Sequence, residues 1–481
     1  MQAASWCMAT NMKRAAWALA LGLAAAGLLV FAGCRGGQGS SDENTVAAAP
    51  WPAWVFEHWA WSDPTSQDQI MQLVEDYEAR DLPVGAVVIS SPWATGYNTF
   101  QFDPALYPDA PGMIDWLHQR GVRVILWVNP VINVACAAGD TTCPEQDLYN
   151  QGNASHFFMG DGMPIPWPKS PSAGALIDYF NPQALEWWHS LMDPILDMGI
   201  DGWKCDTIEP FSLFVSVSPY AGPVKPWAHN DRYYQDFFDY TRRRLGPDRV
   251  IMARPVEYLD LSGIVGQPVM LAFPYARREI NFAGWVGEQD PTFEGLQTAM
   301  VNIYLSADIG YLAPGSDIGG YKDGPRDQET FLRWAQFGAM CPLMENGGKG
   351  EHRPWMIGGD TVERQDTLEI YRQYLDLHYQ LIPYMTRQAA LAWARGKSII
   401  NLVKNDADIW TWEYTLGPDL LVAPIHEPGA TRTVTFPAGN DWVYLWDRSQ
   451  VHAGGAEAAL DFPLDEYPVF IRQGSPLETL L

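Results

Sequence analysis

At 481 residues the chain can bury a sizeable core, and its length suits two or three domains. Its net charge of −26 opposes the counterion release on which nucleic-acid binding depends, and no basic patch is large enough to reverse it. Nucleic acid is therefore excluded as a partner, while neutral sugars are compatible with an acidic surface that by itself selects no substrate.

Lys13-Arg14 followed by the apolar stretch Ala15 to Phe31 reads as an export signal. It ends on Phe31-Ala-Gly-Cys34, a small-small-Cys box like that of bacterial lipoproteins, which would put a lipid on Cys34. A transmembrane anchor is the alternative, since the stretch is near the lower limit for spanning. Residues 1–34 are thus expected to be a leader, and 35–50, rich in Gly, Ser and Ala, a flexible tether. The expected location is the cell envelope, with membrane contact through the lipid only.

From Trp51 onwards amphipathic helical runs alternate with short apolar ones. Ser66 to Arg80 precedes Val84 to Ile89, and Met113 to Arg120 precedes Val122 to Val128. Pro182 to Met198 precedes Gly202 to Asp206, and Tyr233 to Leu245 precedes Val250 to Arg254. Phe293 to Ser306 precedes Ile309 to Ala313. A helix-then-strand repeat over residues 51–396 predicts parallel strands with crossover helices, of a size that suits a (β/α)8 TIM barrel. A doubly wound sheet fits less well, as no glycine-rich phosphate loop follows the first strand. After Gly396 the pattern changes to short strands punctuated by Gly, Pro, Asn and Asp, so 397–481 is predicted to be a C-terminal β-sandwich.

Among the six cysteines, Cys136 and Cys143 lie close in a loop-like segment, where an exported chain is expected to form a disulfide. No His or second Cys pair stands at ligand spacing, so no metal is expected. Cys205 reads as a small buried apolar residue.

Asp206 ends an apolar strand-like run, and Trp285-Val-Gly-Glu-Gln-Asp290 presents two more carboxylates beside a tryptophan. A barrel carries its chemistry at the C-terminal ends of its strands, so Asp206, Arg254, Glu288 and Asp317 are expected on one face. Paired carboxyl groups in a chain with 22 Trp suggest glycosidic bond cleavage, which uses one carboxylate at the anomeric carbon and one acid at the leaving oxygen.

The region from Trp51 to Leu481 resembles glycoside hydrolase family 31, the retaining α-glucosidases and α-xylosidases. The resemblance runs in order through Tyr97-Asn-Thr-Phe-Gln-Phe-Asp103, Gly202-Trp-Lys-Cys-Asp206 and Gly315-Ser-Asp-Ile-Gly-Gly-Tyr321. It continues through Arg333-Trp-Ala-Gln-Phe-Gly-Ala339, Leu377-His-Tyr-Gln-Leu-Ile-Pro-Tyr384 and Gly417-Pro-Asp-Leu-Leu-Val-Ala-Pro424. It implies that Asp206 is the nucleophile, with Trp59, Trp93, Lys204, Arg254, Trp285, Asp317 and His352 in the sugar site. It implies no metal or organic cofactor.

The chain departs from the family pattern at several points. Trp-x-Gly-Asp becomes Trp285-Val-Gly-Glu288, so a gap-free reading makes Glu288 the acid/base; Asp290 takes that role if the loop is re-registered, and lost hydrolysis is the third option. Ser90 stands where relatives often carry a sugar-binding Asp. Arg-x-His after Pro342-Leu-Met is replaced by Glu345-Asn-Gly-Gly-Lys-Gly-Glu-His352, and the barrel is expected to start almost directly after the tether, without the large N-terminal β-sandwich of the family. The expectation is an exported retaining α-glycosidase, with an α-transglycosylase or a carbohydrate-binding surface lipoprotein without turnover as alternatives. The sugar, the linkage and the oligomeric state are not fixed by the sequence.

Overall fold

A computed structural model describes residues 49–481 except 64–65, 92, 136–143, 166–173, 207–216, 226, 261–269 and 406. The leader with Cys34, most of the tether, and the Cys136–Cys143 pair lie outside the described residues.

Eight parallel strands form the first unit: β1 His58–Ser62, β2 Ala86–Ile89, β3 Arg123–Val128, β4 Gly202–Cys205, β5 Val250–Ala253, β6 Asn281–Trp285, β7 Pro314–Gly315 and β8 Met344–Asn346. They pair in the spatial order β7-β6-β5-β4-β3-β2-β1-β8. The ring closes through a parallel bridge between Asp317 and Glu345, where the Ile318 N–H donates to the Glu345 carbonyl at 2.9 Å. This is the predicted (β/α)8 barrel. Helices cross over between successive strands except between β5 and β6, where the described residues form a hairpin of Val256–Asp260 with Met270–Pro274.

The helices start where their caps say they should. Ser66 and Gln69 make a reciprocal capping box ahead of Gln67–Glu78, and the Thr292 hydroxyl accepts from the Gly295 N–H ahead of Phe293–Asp308. One expected strand is corrected. Ile309 to Ala313 is the exit of the Phe293–Asp308 helix, not β7: Ile309 caps it and Gly310 takes φ +85°, a conformation glycine adopts without steric cost. The strand begins afterwards, at Pro314.

The bottom of the barrel is plugged by the 3-10 turn Ala53–Phe56, whose Trp54 stacks on Trp59. The 34-residue helix Thr361–Ala394 holds this turn through His378, whose Nε2 and Nδ1 face the carbonyls of Phe56 (2.7 Å) and Ala339 (2.9 Å). Among the described residues no helix is long and apolar enough to cross a membrane.

The C-terminal unit is the expected antiparallel one. A six-stranded sheet from Ile400–Lys404 to Val469–Arg472 is covered by the pair Thr431–Thr435 and Glu457–Asp461, with Phe436 and Phe462 packed on Phe470. Arg333 joins the two units. Buried in the helix Gln328–Ala339, it donates to the carbonyls of Phe462 (2.8 Å) and Glu466 (2.8 Å). Arg333→Met leaves these carbonyls unpaired in the interior, and an unfolding free energy lowered by about 3 kcal/mol, read as a lower urea midpoint, is expected. An unchanged midpoint means that this junction contributes nothing to stability.

Candidate active site

Asp206 follows β4 directly, and its N–H donates to the Val128 carbonyl of β3 at 2.9 Å. Its carboxylate is held from two sides. Arg254, just past β5, donates to Oδ1 from Nε (3.4 Å) and Nη2 (3.3 Å), and the Trp127 indole of β3 donates to Oδ2 at 3.2 Å. The Arg254 guanidinium in turn lies over the Trp285 ring, 4.5 Å from its centroid. Three neighbouring strand ends thus fix one carboxylate at the mouth of the barrel.

Glu288 is exposed and directly follows Gly287, which takes φ +95°. Its charge, with those of Asp63, Asp317 and Asp206, raises the proton affinity of the Tyr321 phenol, after burial itself. Tyr321 therefore lies within electrostatic reach of carboxylates from the ends of β1, β4, β6 and β7. Its ring lies 6.0 Å from Trp285 and 5.8 Å from Trp61, and its hydroxyl reaches Asp63 Oδ2 at 3.3 Å. Asp290 points elsewhere, pairing with the exposed Lys322 at 3.1 Å.

Several residues expected to contact the sugar lie deeper. Trp59 is fully buried at the barrel bottom, and Trp61, one strand repeat on, stands beside the mouth instead. Trp93 is buried too, and its indole donates to the Trp127 carbonyl at 2.7 Å. It braces the tryptophan that holds Asp206. Asp317 is 0% exposed, and each of its oxygens accepts from an indole, Oδ1 from Trp61 (3.0 Å) and Oδ2 from Trp285 (2.7 Å). It orients the walls and is not itself a wall. Burial raises its carboxyl to about 6, against the pull of Lys204 and the two indoles.

Lys204 is 2% exposed, its ammonium 3.9 Å from the ring centroids of both Trp61 and Trp285. It stiffens the aromatic pair from within the barrel. His352 is buried with its ring nitrogens toward the carbonyls of Gly320 (2.9 Å) and Gly350 (3.4 Å). Burial, then the Arg326 charge, lowers its pKa to about 3, so it is a neutral loop clamp. Arg254 is half-buried at the mouth, Trp285 is buried with its ring against Arg254 and Lys204, and buried Ser90 leaves no carboxylate at the end of β2.

Trp61, Trp127 and Tyr321 were not singled out from the sequence as site residues. Trp61 carried a signal, since Trp59 and Trp61 alternate on one face of a strand. Gly347 records its packing: a Cβ there would fall 2.0 Å from the Trp61 ring. The motif Tyr97 to Asp103 is a brace, with the Asn98 amide donating to the Asn129 carbonyl at 2.8 Å and Phe100 packed edge-on against Trp188 and Trp203. Among the described residues no cluster of three or more His, Cys, Asp or Glu side chains is placed to hold a metal ion.

Residues 48–388 match the glycosyl hydrolases family 31 TIM-barrel domain, and residues 398–477 match the C-terminal domain of that family. A 1,3-alpha-isomaltosidase of Kribbella flavida is 26% identical over 477 residues, with 88% of this chain and 60% of that protein covered. An alpha-xylosidase of Emericella nidulans is 24% identical, covering 88% and 53%. An isomaltosyltransferase of Sporosarcina globispora is 24% identical, covering 89% and 41%. Among solved structures, the cycloalternan-forming enzyme from Listeria monocytogenes superposes with a TM-score of 0.73 at 22% identity, covering 88% of this chain and 42% of that one. The chain thus spans between about two fifths and three fifths of the length of these relatives.

Proposed function

The chain belongs to glycosyl hydrolase family 31, and we propose that it is an exported, lipid-anchored, retaining α-glycosidase acting on α-linked oligosaccharides or glycosides. The observation that carries the reading is the Asp206 carboxylate, fixed by Arg254 and Trp127 at the end of β4, with Glu288 near enough that both carboxylates act on the Tyr321 phenol.

In the first step Asp206 attacks the anomeric carbon while Glu288, as the acid, gives its proton to the departing oxygen. This forms a covalent glycosyl ester and releases the leaving alcohol. In the second step Glu288, now a carboxylate, takes a proton from water, and the oxygen of that water displaces Asp206 with net retention. Arg254 and the Trp127 indole hold the attacking group in one orientation, which contributes through positioning. Trp61, Trp285 and Tyr321 supply apolar faces suited to a sugar ring.

Transfer to an acceptor sugar is the second reading, favoured by the similarity to a protein named isomaltosyltransferase and another named cycloalternan-forming enzyme. Both outcomes share the ester on Asp206. A 5-fluoroglycosyl fluoride of α configuration is expected to leave one glycosyl unit on the peptide carrying Asp206, detected by mass spectrometry of the digest. No adduct on any peptide, with intact sugar binding, would favour a carbohydrate-binding protein. Product analysis with and without added acceptor separates hydrolysis from transfer.

A further inference from the structure

Beneath the mouth, the barrel interior holds one cation and two carboxyl groups. Lys204 from β4, Asp317 from the bridge after β7 and Glu345 from β8 are 2%, 0% and 0% exposed. The two carboxyl-bearing residues face each other across the bridge that closes the barrel. Fully ionised, the trio would carry one uncompensated negative charge in the interior, an arrangement that desolvation strongly disfavours.

The donors are unevenly divided. Asp317 receives two indole N–H groups, which favour its charged form. Among the described residues neither Glu345 oxygen has a donor in hydrogen-bonding geometry, and Lys204 Nζ stands 3.9 Å from Oε1, beyond hydrogen-bond reach. Asp317 and the Trp61 indole are nonetheless close enough to Glu345 to act on its proton affinity.

We propose that Glu345 stands protonated as a positioning residue: as a neutral acid it leaves Lys204 to balance Asp317, so the Trp61–Lys204–Trp285 stack keeps its geometry without added negative charge below Asp206 and Glu288. The functional half of this statement rests on the glycosidase reading; the protonation state does not.

The surrounding groups agree. Glu288 after β6, and Tyr321 and Arg326 after β7, interact electrostatically with Asp317; Asp206 after β4 and Asp63 after β1 act on Tyr321, and Glu351 and His352 after β8 act on Arg326. Arg326 spends its guanidinium on the carbonyls of Gly319, Gly320, Gly324, Lys322 and Lys349, and His352 is neutral. Lys204 is thus left as the cation nearest both carboxyls. Burial, then the charge of Asp317, pushes the Glu345 carboxyl well above the usual range, with Lys204 pulling the other way.

The linkage has a definite sign. A carboxyl with a raised folded-state pKa contributes stability that is full below its unfolded value, near 4.3, and is lost as pH rises toward the folded value. Glu345→Gln keeps the shape and removes the titration. The melting temperature of wild type is therefore expected to fall relative to Glu345→Gln by roughly 2 °C or more between pH 5 and pH 8. Wild type should also show, at pH 8, an infrared band of a protonated carboxyl that shifts on 13C-glutamate labelling and is missing from Glu345→Gln.

Asp317→Asn supplies an independent arm. With Asp317 neutral, Lys204 has only Glu345 to balance it, so Glu345 should ionise and the labelled band should vanish. Parallel melting curves for wild type and Glu345→Gln, or a wild-type protein without the labelled band, would overturn the proposal. The band is read on wild type itself, so a variant that fails to fold leaves that measurement decisive. On activity, Glu345→Gln should stay within about threefold of wild type at pH 5–6 and hold its kcat/KM further into the alkaline range. Because band and melting curve require no turnover, their failure is distinct from failure of the glycosidase reading.

Discussion

Asp206→Ala is expected to lower kcat on an α-linked disaccharide by on the order of 10⁴-fold or more, as for other nucleophiles that act as part of a unit. Only the carboxylate at the end of β4 is lost; the four residues of the strand stay paired to β3 and β5. Its two donors, Arg254 and Trp127, sit at the mouth, where water can take the place of the lost acceptor. The melting temperature should stay close to that of wild type, so the loss reads as chemistry. Azide, small enough to enter the vacated space, should restore part of the activity on a reactive aryl α-glycoside and give a glycosyl azide of inverted configuration. Wild-type turnover by Asp206→Ala on that substrate would show that another group attacks the sugar.

The barrel was legible because most of its strands are β-branched or aliphatic runs preceded by amphipathic helices, a contrast of periods that survives without any tertiary information. Three strands escaped, His58–Ser62, Asn281–Trp285 and Met344–Asn346, the first built largely of aromatic residues and the last only three residues long. The placing of β7 failed at Gly310, where an apolar run serves to end a helix.

Within the site, the strand-end rule expected Asp206, Arg254, Glu288 and Asp317 on one face; the first three lie toward the mouth, while Asp317 is buried. Alternation along a strand gives the face a side chain takes, but not its depth along the barrel axis. Trp59 and Trp61 share a face and differ only in depth, and one plugs the bottom while the other frames the opening. Depth also separates Asp317 and Lys204, buried among indoles, from Asp206 and Arg254. For His352 the deciding fact is the path of the loop after β8, which turns its ring toward the Gly320 carbonyl. No local sequence signal reports that path.

Glu288 and Asp290 are two residues apart, and their surroundings divide them. Glu288 is exposed and acts on both Asp317 and Tyr321, while Asp290 spends its carboxylate on Lys322 at 3.1 Å. An acid/base matters most where the leaving group is poor, since a good leaving group departs without a proton. Glu288→Gln should lose about 10²–10⁴-fold in kcat/KM on disaccharides, the usual span for a general acid, and far less on dinitrophenyl glycosides or glycosyl fluorides. On the activated substrates its second step becomes rate-limiting, because water no longer has a base. Azide needs no deprotonation, so it should accelerate that step and yield a glycosyl azide of retained configuration, opposite to the product from Asp206→Ala. Asp290→Asn should show neither the leaving-group dependence nor the azide response, as it removes only an exposed ion pair of small energetic weight. Both effects appearing in Asp290→Asn, with Glu288→Gln near wild type, would place the proton donor two residues further along. Wild-type kinetics in both variants would remove proton transfer from this strand end altogether.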